Sequence, residues 1–228
     1  MPTKAASKIV PAVPMMNGAT AIHESIVIRP LQEAIVQFRL VGTAPYMQLR
    51  FSQKAMSKMQ TTQEAGQQAR SKKVRQARDF DDDYLQAMHR MVDDSYGIPA
   101  AAFRNALISA CRTIGFKMTL AKLSIFVEAD GLDVIDGTPL VTLHGEPEKT
   151  ILPVRNATGV ADLRVRPMWR EWAINLRIRF DREQFSTTDV FNLLVRAGAQ
   201  VGVGEGRPDS RASAGLGYGL FTVEAEAA

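Results

Sequence analysis

The sequence predicts an α+β domain in which two helices pack on one face of an antiparallel sheet. Three observations predict it: strand-period alternation at Val36, Phe38 and Leu40; two capped amphipathic helices separated by strand-like runs; and a glycine-rich stretch, Gly198 to Thr222, that leads into a last apolar strand. At 228 residues the chain is long enough to bury one large core.

Residues 1–30 mix Pro, Ala, Met and Ser without a helical or strand period and read as an arm, loose or docked on a neighbour; residues 23–30 have enough apolar character to add an edge strand. The domain proper runs over 31–228. Val36, Phe38 and Leu40 alternate with Gln37 and Arg39, which predicts a half-buried first strand from Ala34. A helical insertion at about 50–95 follows, rich in helix formers but sparse in apolar residues. Its cations, Arg50, Lys54, Lys58, Arg70, Lys72, Lys73, Arg75 and Arg78, face only Glu64 before the sign reverses at Asp79, Asp81, Asp82 and Asp83. Such a block is either a solvated helical face or a surface for a phosphate backbone; the acidic run suits the basic block of a neighbouring subunit.

The first core helix is predicted by Phe103, Leu107, Ala110, Cys111 and Ile114, which share one face, with Pro99 in the first turn and Gly115 as the stop. Cys111, the only cysteine, belongs to that stripe rather than to a nucleophile, and Arg104 lies off it, free to reach solvent or a ligand. Leu123, Ile125 and Val127 predict a second strand, with Pro139 to Leu143 pairing beside it; Asp130, Asp133 and Asp136 read as turn residues rather than metal ligands. Residues 151–182 read as a long hairpin. Trp172, Ile174, Leu176, Ile178 and Phe180 point to one side of it, and Asn175, Arg177 and Arg179 to the other. The second helix is capped by Ser186 or Thr187, carries Val190, Leu193, Leu194 and Ala197 as its stripe, and ends at Gly198. Leu220 to Val223 completes the sheet. The resulting order is the βαββαβ plan of a ferredoxin-like (RRM-like) domain, with arginines Arg39, Arg177 and Arg179 where RNA-recognition sheets carry aromatic rings.

The chemistry suggested by these residues is phosphate binding. Arg207 and Arg211 sit among the loop glycines with Ser210, Ser213 and Tyr218, so backbone amides, hydroxyls and cations are offered together. A purely structural turn fits the glycines alone equally well. Arg155, Arg164, Arg166 and Arg170 flank Trp169, a ring on which a base stacks, or a core tryptophan in an exposed hairpin. The glycines follow a helix and precede a strand, the wrong context for a dinucleotide fingerprint, and no P-loop run occurs. One cysteine and three scattered histidines predict neither a disulfide nor a metal site, and no cofactor motif is present. The formal charge of +4 and pI near 9.3 are mildly basic. No apolar run reaches a membrane span, and prolines interrupt the start before a signal segment forms. A soluble, cytoplasmic protein is expected.

Two motifs resemble the repeat-associated mysterious protein (RAMP) superfamily of CRISPR effector subunits. Gly97-Ile98-Pro99-Ala100-Ala101-Ala102-Phe103-Arg104-Asn105-Ala106-Leu107 is similar to that family's lead-in to its first helix, and Gly215-Leu216-Gly217-Tyr218-Gly219-Leu220-Phe221 to its G-x-G-x-F ending. Asn105 replaces the usual glycine, and the paired serines are missing. The insertion and the Arg-bearing hairpin resemble those with which the family's backbone subunit holds guide RNA. The resemblance implies a non-enzymatic protein that binds single-stranded RNA, or DNA, and polymerises head to tail along it as a homo-oligomer or filament beside other CRISPR effector subunits. An alternative is a metal-independent endoribonuclease of the same fold, although His23 and His89 do not fall where the family's nucleases keep a base. A third is a phage or plasmid protein that coats single-stranded DNA or obstructs a CRISPR complex.

Overall fold

The alternation at Val36, Phe38 and Leu40 forms β1 (Glu33–Gly42). The computed structural model describes residues 28, 30–64, 78–155, 161–210 and 214–224. In it β1 lies inside a four-stranded antiparallel sheet with β4 (Ile125–Glu128), β9 (Ala173–Asp181) and β10 (Phe221–Glu224), in the order β10-β1-β9-β4. The β1–β9 register sets Val36 against Ile178, Phe38 against Leu176 and Leu40 against Ile174, so one sheet face is apolar. Two units divide the chain, Met1–Leu31 and Gln32–Ala228; of the first, only Ile28, Pro30 and Leu31 are among the described residues.

Two helices supply the core that this face needs. α3 (Ala100–Ala110) contributes Phe103, Leu107 and Ile108, and α5 (Thr187–Arg196) contributes Val190, Leu193 and Leu194, to one cluster with Leu40, Ile125, Ile174, Leu176, Ile178 and Phe221. Each such side chain, fully buried, stabilises the fold by roughly 1.5–3 kcal/mol before entropy is counted. Ser186 caps α5 in a capping box with Asp189. The helix does not end at Gly198: a π turn, Ala197–Val201, continues it to Gly202. Ile114 also leaves the predicted stripe. After Ala110 the helix tightens into a 3-10 turn, Cys111–Ile114, which rotates Ile114 outward while Cys111 stays buried.

Further corrections follow from pairing. Residues 118–124 are a helix, α4 (Met118–Ser124), so Leu123 faces outward and the second strand begins only at Ile125. β6 (Pro139–Thr142) does not pair beside β4; it lies between β3 (Gly97–Pro99) and β5 (Gly131–Leu132) in a separate sheet. Gly97 permits this, since a Cβ there would come within 2.8 Å of Leu140. The segment 151–182 is not one hairpin. β7 (Glu148–Arg155) and β8 (Ala161–Trp169) form the hairpin, whose β8 pairs with β2 (Tyr46–Met47), while β9 belongs to the main sheet.

The insertion forms α1 (Gln53–Glu64) and α2 (Phe80–Gln86), the latter capped by Asp79. Some of its described charges pair within the chain: Arg78 holds Asp83 at 2.8 Å and Asp162 at 3.2 Å, and Lys149 holds Asp81. The sheet face opposite the helices is neutralised as well. Arg39 pairs with Glu224, Arg177 with Asp130, and Arg179 with Glu128 and Glu33. No helix among the described residues is long and apolar enough to cross a membrane.

Gly198 shows how tightly the π turn packs. A Cβ there would lie 2.2 Å from the Phe221 carbonyl oxygen. Helix propensity alone favours alanine by about 1 kcal/mol, but overpacking costs roughly 1–3 kcal/mol, so Gly198→Ala is expected to lower the melting temperature. Gly115→Ala is the control for backbone strain alone, because Gly115 has φ 70° and nothing within 4 Å of its missing Cβ; a loss of about 1 kcal/mol is expected. A stabilised Gly198→Ala protein would contradict the close approach.

Candidate functional site

The glycine-rich loop is a folded clasp. Val203 N–H donates to the Gly219 carbonyl, Gly219 N–H to Pro45, Leu216 and Tyr218 N–H to Gly206, and Glu205 N–H to Met47. The clasp requires glycine where the two arms touch: a Cβ on Gly219, at φ 67°, would sit 1.7 Å from the Val203 oxygen. Many of the amides that the sequence offered to phosphates are therefore already used by the loop itself.

Between this clasp and α3 lies a cleft of about 540 Å³. Ala102, Asn105 and Ser109 line it on the helix side, Gly204 and Arg207 on the loop side, and Tyr46 and His89 also form part of its wall. Arg207 is exposed on the rim, its Nη1 donating to the Gly204 carbonyl at 3.0 Å. Asp209 fastens the loop to the helix through Arg112 Nη2 at 2.5 Å. Burial pushes the Asp209 carboxyl up, but hydrogen bonds from Ser109 and Arg112, helped by the Arg112 and Arg207 charges, outweigh it and hold the group below its ordinary value.

A polar network lies under the His89 side of the cleft. Gln48 Nε2 donates to the Gly97 carbonyl at 2.7 Å and to the Tyr46 hydroxyl at 3.0 Å, while its Oε1 accepts the His89 N–H at 2.9 Å. His89 Nδ1 lies 2.7 Å from Asp133 Oδ2. The other Asp133 oxygen accepts N–H groups of Ile135 and Asp136. Donation from Nδ1 to the carboxylate leaves Nε2 as the basic ring nitrogen. Sequence reading missed this pair because 44 residues separate its members; Asp133 read as a turn residue and His89 as part of the insertion. His89, Asp133 and Asp136 offer metal-ligand atoms within 4.8 Å of one another. The Arg50 guanidinium already supplies the cation there, its Nε 3.5 Å from a carboxylate oxygen of each aspartate.

Arg50 is accordingly corrected: it is 3% exposed and serves the interior, with Nε and Nη1 making no hydrogen bond. Trp169 is corrected too. It is fully buried, with its ring 5.6 Å from Tyr46 and 5.5 Å from Tyr96, so no base stacks on it. Arg104 is turned inward to the carbonyls of Ile125 and Lys122 and covers the Phe126 ring. Arg164 and Arg166 converge on Glu205 of the loop, at 3.4 and 2.5 Å. Tyr218 is half-buried beneath Gly206, and Lys58 is exposed on α1. Arg70, Lys72, Lys73 and Arg211, and the side chains of Lys54 and Arg155, lie outside the described residues. The cleft thus brings together Arg207 and Glu205, the latter ion-paired with Arg164 and Arg166, and Lys58 stands on a separate element.

The Asp209 contact has a definite pH sign. A carboxyl with a depressed folded value contributes stability that is fully present above its unfolded value, about 3.9, and lost as pH falls through the folded value. In a carboxyl-carbon NMR titration, Arg112→Ala is expected to move the Asp209 midpoint upward; an unmoved midpoint would mean that Arg112 does not hold the loop. No protein-family model matches the chain, and no curated protein matches it significantly.

Proposed function

We propose that the chain binds single-stranded nucleic acid, RNA in the first place, in the cleft between the glycine-rich loop and α3. The observation that carries this is an exposed arginine, Arg207, on the glycine rim of a cleft of about 540 Å³ whose opposite wall is a helix of small residues. Small side chains leave room for a sugar–phosphate chain, and a guanidinium recognises phosphate oxygens without reading sequence. The strand order β10-β1-β9-β4 with two helices on one face supports a ferredoxin-like core, and with it a RAMP-like backbone subunit that repeats head to tail along its strand. The sheet-face arginines Arg39, Arg177 and Arg179 do not line this cleft and are paired with carboxylates across or beside the sheet.

Size-exclusion with light scattering, recording absorbance at 260 and 280 nm before and after nuclease treatment, tests the assembly. A large nucleic-acid-bearing particle that collapses on treatment is the expected result. Arg207→Glu should weaken binding of a labelled oligoribonucleotide and reduce the salt slope by about one. Unchanged affinity and slope would remove Arg207 from the interface.

The His89–Asp133 pair favours a second reading, a metal-independent endoribonuclease. In this reading His89 Nε2 takes the proton of a ribose 2′-hydroxyl, the 2′-oxygen bonds to the adjacent phosphorus as its bond to the 5′-oxygen breaks, and the 5′-oxygen takes a proton from solvent water, giving a 2′,3′-cyclic phosphate and a 5′-hydroxyl end. Asp133 holds the ring in place through Nδ1. Incubation with RNA in chelator decides: cleavage that His89→Ala lowers by about 100-fold or more supports catalysis, whereas intact RNA leaves binding alone.

A further inference from the structure

We infer that Arg164 and Arg166 form a second phosphate site, and that the Glu205 carboxylate occupies it when no strand is bound. The inference rests on the binding reading above and names the group its strand displaces. The two arginines stand two residues apart on β8 and so project from the same face of that strand. Both reach one carboxylate, Arg166 Nε at 2.5 Å from Oε2 and Arg164 Nη1 at 3.4 Å from Oε1. Arginine forks donate to carboxylate and phosphate oxygens in the same manner.

The loop is built to let that carboxylate leave. Glu205 is fixed through its backbone, by its N–H on the Met47 carbonyl at 2.9 Å, and is flanked by Gly204 and Gly206, both at φ 81°. Its side chain moves without moving the clasp. Glu205 lines the cleft two residues from the exposed Arg207, and the other nearby loop acid, Asp209, is held by Arg112. Two guanidinium groups therefore hold the Glu205 carboxylate, and the exposed Arg207 follows it by two residues along the loop. A phosphodiester drawn to Arg207 that displaces the Glu205 side chain exchanges one anion for another on Arg164 and Arg166 rather than desolvating bare cations.

The test is anisotropy of a labelled single-stranded oligoribonucleotide across a salt series with wild-type, Glu205→Gln and Glu205→Asp proteins, with melting curves to verify folding. Glu205→Gln keeps the shape and removes the competing charge; binding is expected to tighten roughly tenfold at low salt, the scale of one charge-assisted contact, and the salt slope to steepen by about one. Glu205→Asp, one methylene shorter, should fall between the two. Wild-type binding with no gain, or a loss, in both variants would make Glu205 a strut and overturn the phosphate site while leaving the cleft reading intact. Binding by none of the three proteins would overturn the cleft reading and the site together.

Discussion

The buried carboxylate of Asp133 is the constraint on which the surroundings of the cleft depend. It is 4% exposed, and an isolated charge at that depth is untenable. Its partners come from three separate stretches: Arg50 at the mouth of the insertion, His89 beyond it, and the backbone of the β5–β6 turn. Removing one member of such a set typically costs about 3–5 kcal/mol, since the others are left uncompensated. The network therefore fixes where the insertion leaves and re-enters the domain, and Gln48 transmits that position to His89 and Gly97.

Much of the remaining architecture follows from charge satisfied internally. A mildly basic chain with arginines on its sheet, hairpin and loop invites the reading of a broad cationic surface. Instead Arg39, Arg177 and Arg179 bind carboxylates across or beside the sheet, Arg78 bridges the insertion to the hairpin, and Arg104 closes on backbone carbonyls. Each is a link between segments distant in sequence, and exposed pairs of this kind contribute about 0–1 kcal/mol each. Their larger effect is geometric: they tie sheet, hairpin and insertion to one another.

The mixed α+β fold was legible because its determinants are local: the alternation along β1, the Ser186 cap, the Phe103–Leu107–Cys111 stripe and the run of glycines. Period and capping need only neighbours to be recognised. What was not legible depends on distance. Whether Arg50 faces solvent or Asp133 is decided 83 positions away in the chain, and Trp169 reads the same as a stacking platform or as core until β2 is set against β8. The Leu123 alternation misled because a helix and a strand both place apolar residues at short intervals, and only the exposure of Leu123 separates them. For the site, the loop and Arg207 were readable, but the His89–Asp133 pair and the Glu205 counter-charge exist only in three dimensions.

The aromatic cluster below the clasp has an optical consequence. Tyr46 lines the cleft, and the chain's two tryptophans both pack against it, Trp169 and Trp172 each at 5.6 Å. Their indole nitrogens differ: Trp172 donates to the Ala44 carbonyl at 2.8 Å, while Trp169 Nε1 has no hydrogen-bond partner among the described residues. All of the chain's tryptophan emission thus originates within one ring of the cleft wall, from two indoles in distinct polar settings. The protein carries its own fluorescent reporter, placed where a ligand would be felt.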